Sequence, residues 1–179
     1  MSPSGATQDI RVDWETYHLL IERLIVLVHQ SGWKFDQILC LARGGLRVGD
    51  VFSRVFGLPL AVLATSSYRE QAGHTQGELE IASFITMPQG TLKGRVLLLD
   101  DLVDSGETLA GVQDHLLRTY PSIESIKTAV LWYKACSKVE PDFFVEKVSA
   151  NSWIHQPFEI YDGRSPQDLV EKSALALTK

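Results

Sequence analysis

The densest concentration of reactive side chains in this 179-residue chain is the run Val96-Leu97-Leu98-Leu99-Asp100-Asp101-Leu102-Val103-Asp104-Ser105-Gly106-Glu107-Thr108. Its first four residues are apolar and read as a strand buried on both faces, which delivers two adjacent carboxylates to the edge of a sheet. A short loop bearing Ser, Gly and Thr then opens a helix. Carboxylate oxygens accept hydrogen bonds, so a neighbouring pair suits vicinal hydroxyls, and it suits Mg²⁺, a hard ion that prefers oxygen and keeps several waters. Loop amides, hydroxyls and the positive end of a helix dipole suit a phosphate group. A sugar carrying both hydroxyls and a phosphate satisfies every part. The plainer alternative makes Asp100, Asp101 and Asp104 turn and capping residues. An apolar tetrad, three acids and Ser-Gly-x-Thr in one run weigh against it.

A second candidate anion site is Leu41-Ala42-Arg43-Gly44-Gly45-Leu46. Glycines after a buried strand let backbone amides approach an anion closely, and the Arg43 guanidinium offers a fork for phosphate oxygens. In isolation the same residues are a turn with one solvated arginine. Their place one strand–helix unit ahead of the acidic run favours anion binding. Late in the chain, Trp132-Tyr133-Lys134 ends a strand and Asn151 to Phe158 reads as irregular. Trp153 offers a flat apolar ring and Lys134 a donor, although singly each is as easily a core aromatic and a solvated strand-end charge.

The elements that must position these residues alternate along the chain. From Asp13, a capping residue, Tyr17, Leu20, Ile21, Leu24, Ile25 and Val28 recur at helical spacing until Ser31-Gly32. Ile38 to Ala42 reads as a buried strand, Val48 to Val55 as a helix, and Leu60 to Ala64 as a second buried strand. Ser66 to Gly77 is polar and aperiodic, a loop. Strands are expected over Glu78–Thr86, Arg95–Leu99, Ile126–Tyr133 and Asp142–Val145, with helices over Gly106–Tyr120 and Pro166–Leu177. This alternation predicts a single α/β domain over 1–179 with a mainly parallel sheet, residues 1–11 being an unstructured lead-in. Ligands of such folds bind outside the carboxyl ends of the strands, where every candidate above falls.

Composition narrows the function. The chain is 45% hydrophobic and 22% charged, an ordinary globular balance, and its formal net charge of -5 gives no support to general adhesion to nucleic acid or anionic membrane. Cys40 and Cys136 lie in apolar runs without metal-ligand spacing and read as reduced core residues. No apolar run approaches the ~18 to 20 residues of a membrane span and no charged-then-apolar leader opens the chain, so a cytoplasmic protein is expected. His18, His29, His74 and His115 show no ligand spacing, and no G-x-G-x-x-G follows a strand, which disfavours a dinucleotide-binding enzyme.

The acidic run resembles the phosphoribosyl-diphosphate (PRPP) signature of the type I phosphoribosyltransferases, and Arg43-Gly44-Gly45 resembles that family's pyrophosphate loop. Lys134 and Trp153-Ile154-His155-Gln156-Pro157-Phe158 are similar, in order and spacing, to the purine pocket of the bacterial xanthine-guanine enzymes. The likeness spans Leu39 to Tyr161 and implies the family's fold, a parallel sheet flanked by helices with a small hood and a flexible loop. It implies that Asp100 and Asp101 hold ribose and Mg²⁺, with Asp101 the metal residue, and that Asp104 is the general base. It further implies that Asp104, Ser105, Gly106, Glu107 and Thr108 hold the 5′-phosphate, with a cis peptide between Ala42 and Arg43. Lys134 would meet the purine 6-oxo group, Trp153 stack on the ring, and the Ile154 backbone contact its 2-substituent. Ser66, Ser67, Tyr68 and Arg69 would begin the flexible loop. Departures are Gln76-Gly77-Glu78-Leu79 in place of Gln-Arg-Glu-Leu, a loop without the family's lysines, His155 in place of an acid and Phe158 in place of a tryptophan.

The implied reaction is Mg²⁺-dependent transfer of a 5-phosphoribosyl group from PRPP to guanine, xanthine or hypoxanthine, in a homodimer or homotetramer, with no nucleic acid partner. Two rivals remain: another nucleobase as acceptor, and a non-catalytic PRPP-sensing regulator on the same fold.

Overall fold

The computed structural model describes residues 9–67, 79–88 and 90–177. In chain order the elements are β1 (Asp9–Arg11), α1 (Trp14–Gln30), β2 (Gln37–Ala42), α2 (Leu46–Phe56), β3 (Leu60–Ser67), β4 (Leu79–Ile81), β5 (Gly94–Leu99), β6 (Leu102–Val103), α3 (Glu107–Thr119), β7 (Ile123–Lys134), β8 (Phe143–Val148), β9 (Trp153–His155), a 3₁₀ turn (Glu159–Tyr161) and α4 (Pro166–Leu177). They group into two compact units, Met1–His18 with Asn151–Lys179, and Leu19–Ala150.

Among the described residues, those from 19 to 150 carry a seven-stranded sheet. Its strands run in the order β4-β3-β2-β5-β7, and β6 and β8 each pair with β7 as well. All pairings are parallel except β3 with β4. The apolar runs expected to be buried on both faces are so: Ile38, Leu39, Cys40 and Leu41 of β2 and Val96 to Leu99 of β5 are each at most 1% exposed. Alternation sorts them. Leu39, Leu41, Ala61, Leu63, Val96, Leu98 and Val130 pack with Leu109, Val112 and Leu116 of α3. Cys40 points the other way, against α2, where a Cβ on Gly49 would lie 2.8 Å from its own. The sheet is thus covered by α2 on one face and α3 on the other. Each large apolar side chain so buried contributes roughly 1.5–3 kcal/mol of transfer free energy.

The helix signals act as read. The Thr16 N–H donates to Asp13 Oδ1 at 2.8 Å at the start of α1, and Gly57, at φ +66°, closes α2 in the left-handed conformation ahead of Pro59. Among the described residues no helix is long and apolar enough to cross a membrane.

Several expectations are corrected. Asp9–Arg11, expected to be unstructured, pairs in parallel with β9, in the segment read as irregular; three-residue strands are too short to show a period. Glu78–Thr86 is not one strand: β4 is only Leu79–Ile81, and Thr86 makes a separate bridge to Val62. Ser66 and Ser67, assigned to a loop, belong to β3 and pair with Glu80 and Leu79, which supply their backbone partners. Tyr68, Arg69 and His74 lie outside the described residues. Cys136 is an exposed free thiol, because β7 ends at Lys134 and the chain turns there, the Ser137 N–H donating to the Lys134 carbonyl at 3.0 Å.

Candidate active site

The acid pair sits in an interruption of one long pairing. Leu99 of β5 stands beside Ala129 of β7, and Leu102 of β6 beside Trp132, so the register is unchanged across Asp100 and Asp101. The Asp100 N–H donates to Ala129 O at 3.2 Å, and the Asp101 carbonyl accepts the N–H groups of Leu131 and Trp132 at 3.0 and 3.2 Å. With its backbone held to β7 at both residues, this short break presents two carboxylates at the carboxyl end of the sheet.

Their environments differ from free aspartates. Crowding of the Asp100 carboxyl by protein, and then the charge of Asp101, push it well above the ordinary carboxylate range, although the Asp101 N–H donates to its Oδ1 at 2.9 Å. The Arg43 loop packs on these residues from β2. A Cβ on Gly44 would collide with the Asp101 carboxylate, whose Oδ2 would lie 2.6 Å away. A Cβ on Gly45 would stand 2.6 Å from the Leu99 carbonyl and 2.8 Å from that of Leu41. Gly45 is therefore required to bring the two motifs together, and a side chain at Gly44 would displace the Asp101 carboxylate, apart from any anion the two glycines approach. The Ala42–Arg43 peptide is cis and Arg43 is exposed.

Beyond β6 the chain turns into α3 through Gly106, which adopts φ +84°, and Ser105 Oγ accepts the Glu107 N–H at 3.3 Å. A Cβ on Gly106 would lie 2.5 Å from Ser137 Oγ and 3.0 Å from the Val139 nitrogen. Thr108 is half-buried in the first turn of α3.

The parallel register explains the central contact. The offset of 30 positions that relates β5 and β6 to β7 also separates Asp104 from Lys134, and their side chains meet, Nζ to Oδ2, at 3.0 Å. Lys134 is buried, so its ammonium is out of water and needs this counter-ion. Cys136 Sγ lies 3.8 Å from the Asp104 carbonyl oxygen. The Lys138 N–H donates to Ser105 O at 3.0 Å, and its ammonium pairs with Glu107 at 3.2 Å. Sequence reading missed the turn 135–139 that packs on Ser105 and Gly106; the strand register is the signal that locates it.

Trp153 and Ile154 belong to the other unit. Ile154 is buried on β9, whereas Trp153 keeps 46% of its surface exposed and is not the core aromatic that its type suggests. His155 Nε2 lies 3.6 Å from Asp9 Oδ2 across β1 and β9, and the Phe158 ring packs edge-on to Tyr17 with centroids 5.8 Å apart.

Among the described residues no three His, Cys, Asp or Glu side chains converge as a metal cluster. An ion held here would take one or two carboxylate oxygens from Asp100 and Asp101 and complete its shell with water and phosphate oxygens. That is the habit of Mg²⁺, and a cation would also favour the ionised form that burial disfavours at Asp100.

The mainly parallel α/β sheet places Arg43, Asp100, Asp101 and Lys134 at the carboxyl ends of β2, β5 and β7, the edge at which folds of this class bind their ligands. The family model described as "Phosphoribosyl transferase domain" matches residues 12–162, so the chain belongs to that family and is a phosphoribosyltransferase. Its structure is similar to that of a purine phosphoribosyltransferase from Pyrococcus horikoshii Ot3, at 29% identity and TM-score 0.70 over 84% of this chain and 94% of that one. A xanthine-guanine-hypoxanthine phosphoribosyltransferase from Helicobacter pylori matches at 24% identity and TM-score 0.72, over 93% and 99% of the two chains. A hypothetical protein from Neisseria gonorrhoeae with bound ppGpp matches at 20% identity and TM-score 0.66, over 96% and 98%. The last two share the fold.

Proposed function

We propose that the protein transfers the 5-phosphoribosyl group of PRPP to an oxopurine (guanine, xanthine or hypoxanthine), forming the nucleoside monophosphate and pyrophosphate in purine salvage. The observation that carries this reading is the Asp104–Lys134 pair beside the loop Ser105–Thr108, with the Asp100–Asp101 acids a few residues ahead on the same strand edge. A proton acceptor and a buried donor in contact match an acceptor base that gives up a ring proton and presents an exocyclic oxygen.

In this mechanism the Asp100 and Asp101 carboxylates accept hydrogen bonds from the ribose hydroxyls, and the amides of Ser105 to Thr108 hold the 5′-phosphate at the start of α3. Mg²⁺ at Asp101 would supply charge neutralisation for the diphosphate. Arg43 with the Gly44 and Gly45 amides binds the leaving pyrophosphate, on which negative charge grows as the glycosidic bond breaks. Asp104 takes the purine proton and Lys134 donates to the 6-oxo group. Trp153, with its ring exposed, stacks on the base, and the Ile154 backbone meets the 2-substituent. The match to a purine enzyme at 29% identity supports the purine as acceptor.

Pyrophosphate release from PRPP and Mg²⁺ with a panel of nucleobases tests the reading. Release with oxopurines is expected, and Asp104→Asn should lower kcat by roughly 10²–10⁴ while PRPP binding changes little. Release only with another base would reassign the acceptor. PRPP binding without release for any base would identify a regulator.

A further inference from the structure

The anion loop contains two groups that oppose an anion. Of the five residues Asp104 to Thr108, two are acids, Asp104 and Glu107. Glu107 stands in the first turn of α3, where its carboxylate offsets the helix dipole that would draw a phosphate. Each acid is matched by a lysine from the end of β7 and the turn after it: Lys134 Nζ lies 3.0 Å from Asp104, and Lys138 Nζ 3.2 Å from Glu107.

The second pair is held in place by the backbone. The Lys138 N–H donates to the Ser105 carbonyl at 3.0 Å, and Gly106 lies directly under Ser137 and Val139. That anchor occupies the loop's carbonyl with the turn 135–139 and sets the Lys138 side chain beside Glu107. Both side chains are exposed, 76% and 53%, so the ion pair adds little to folding stability. Its consequence lies in the charge it cancels at the anion site.

We infer that Lys138 is a positioning residue for PRPP: it neutralises Glu107 at the mouth of the loop, so that the loop amides and the α3 dipole meet the 5′-phosphate unopposed. The inference rests on the PRPP reading above. It gives Lys138 a role that acts through Glu107 rather than through direct contact with the phosphate.

The test is a double-mutant cycle, with PRPP binding followed by calorimetry in Mg²⁺ and KM for PRPP followed by pyrophosphate release. Lys138→Met keeps the stem and the backbone N–H and removes only the charge. It should weaken PRPP about threefold or more at low ionic strength, with a smaller loss at high salt, and shift the melting temperature by less than about 1 °C. Glu107→Gln should bind PRPP at least as tightly as the wild type, and Glu107→Gln/Lys138→Met should match Glu107→Gln alone. Unchanged PRPP affinity in Lys138→Met overturns the inference, as does an undiminished loss when Glu107 is already Gln. Failure of the wild type to take up PRPP needs no variant to detect; it overturns the site reading, and this inference with it.

Discussion

Removing either partner of the Asp104–Lys134 pair should have unequal consequences, because 9% of the Lys134 side chain but 37% of the Asp104 side chain reaches solvent. Asp104→Ala takes the carboxylate from an ammonium that water scarcely reaches. Lys134→Met takes away the ammonium, refills the space of its stem and leaves a carboxylate already partly hydrated. Breaking a fully buried pair costs about 3–5 kcal/mol; discounted for the hydration of Asp104, the loss for Asp104→Ala is about 2 kcal/mol, and for Lys134→Met within about 1 kcal/mol of zero. For a chain of this size each kcal/mol moves the melting temperature by roughly 2–4 °C, so Asp104→Ala should melt about 4–8 °C lower. Asp104→Ala/Lys134→Met should recover most of the loss, since the buried ammonium that lost its carboxylate is gone. Calorimetric melting at neutral pH, with urea unfolding to confirm an unchanged m value, reads all three variants. Equal losses in the two single variants, or a larger loss in Lys134→Met, would refute the argument from burial.

Burial and the charge of Asp101 raise the Asp100 carboxyl, so the ligand-free protein gives up stability as pH rises through the folded value. Asp100→Asn keeps the Oδ1 acceptor and removes that loss; it should be more stable than the wild type by about 1 kcal/mol at neutral pH, converge with it on acidification, and bind PRPP more weakly. Thermal melts from pH 4 to 8 check the sign, and a variant less stable at the high end would contradict it. Cys40, buried and facing the charge of Asp100, has its thiol pushed up to about 12, whereas Cys136 is exposed. Iodoacetamide at pH 8 should therefore alkylate Cys136 in the native protein and Cys40 only after unfolding, as mass spectrometry would show. Trp153→Ala should raise KM for the base about tenfold, within the ~1–3 kcal/mol of a base–aromatic stack, and cost less than about 1 kcal/mol of stability because the ring is exposed. An unchanged KM would remove Trp153 from the base site.

What could be read from the chain alone follows the range of the interaction that fixes it. The helices α1 and α4 and the apolar cores of β2 and β5 declare themselves within a few residues, through capping, periodicity and burial on both faces. The acid pair and the glycines of the Arg43 loop were equally visible, but what those glycines pack against was not. Gly44 and Gly45 face Asp101 and Leu99, more than fifty positions away in sequence, and only the sheet order β2–β5 brings them together. The same holds for Asp104 and Lys134. Each was identified by type and by family resemblance, yet that one is the counter-ion of the other depends on the register of β5 and β6 against β7. Register is set by hydrophobic faces and by the turns between strands, and here a helix and several bends separate the partners. Once that single offset is known, the rest of the site's electrostatics follows from it: Lys134 falls opposite Asp104, and the turn beyond β7 closes over Ser105, Gly106 and Glu107. A one-residue slip of β7 would move Lys134 to the opposite face of the sheet and leave Asp104 without its ammonium. The packing of β7, buried on both faces from Thr128 to Lys134, therefore fixes the Asp104–Lys134 contact as well as the core, and residues such as Val130, buried among the α3 contacts, bear on the candidate site through register rather than contact.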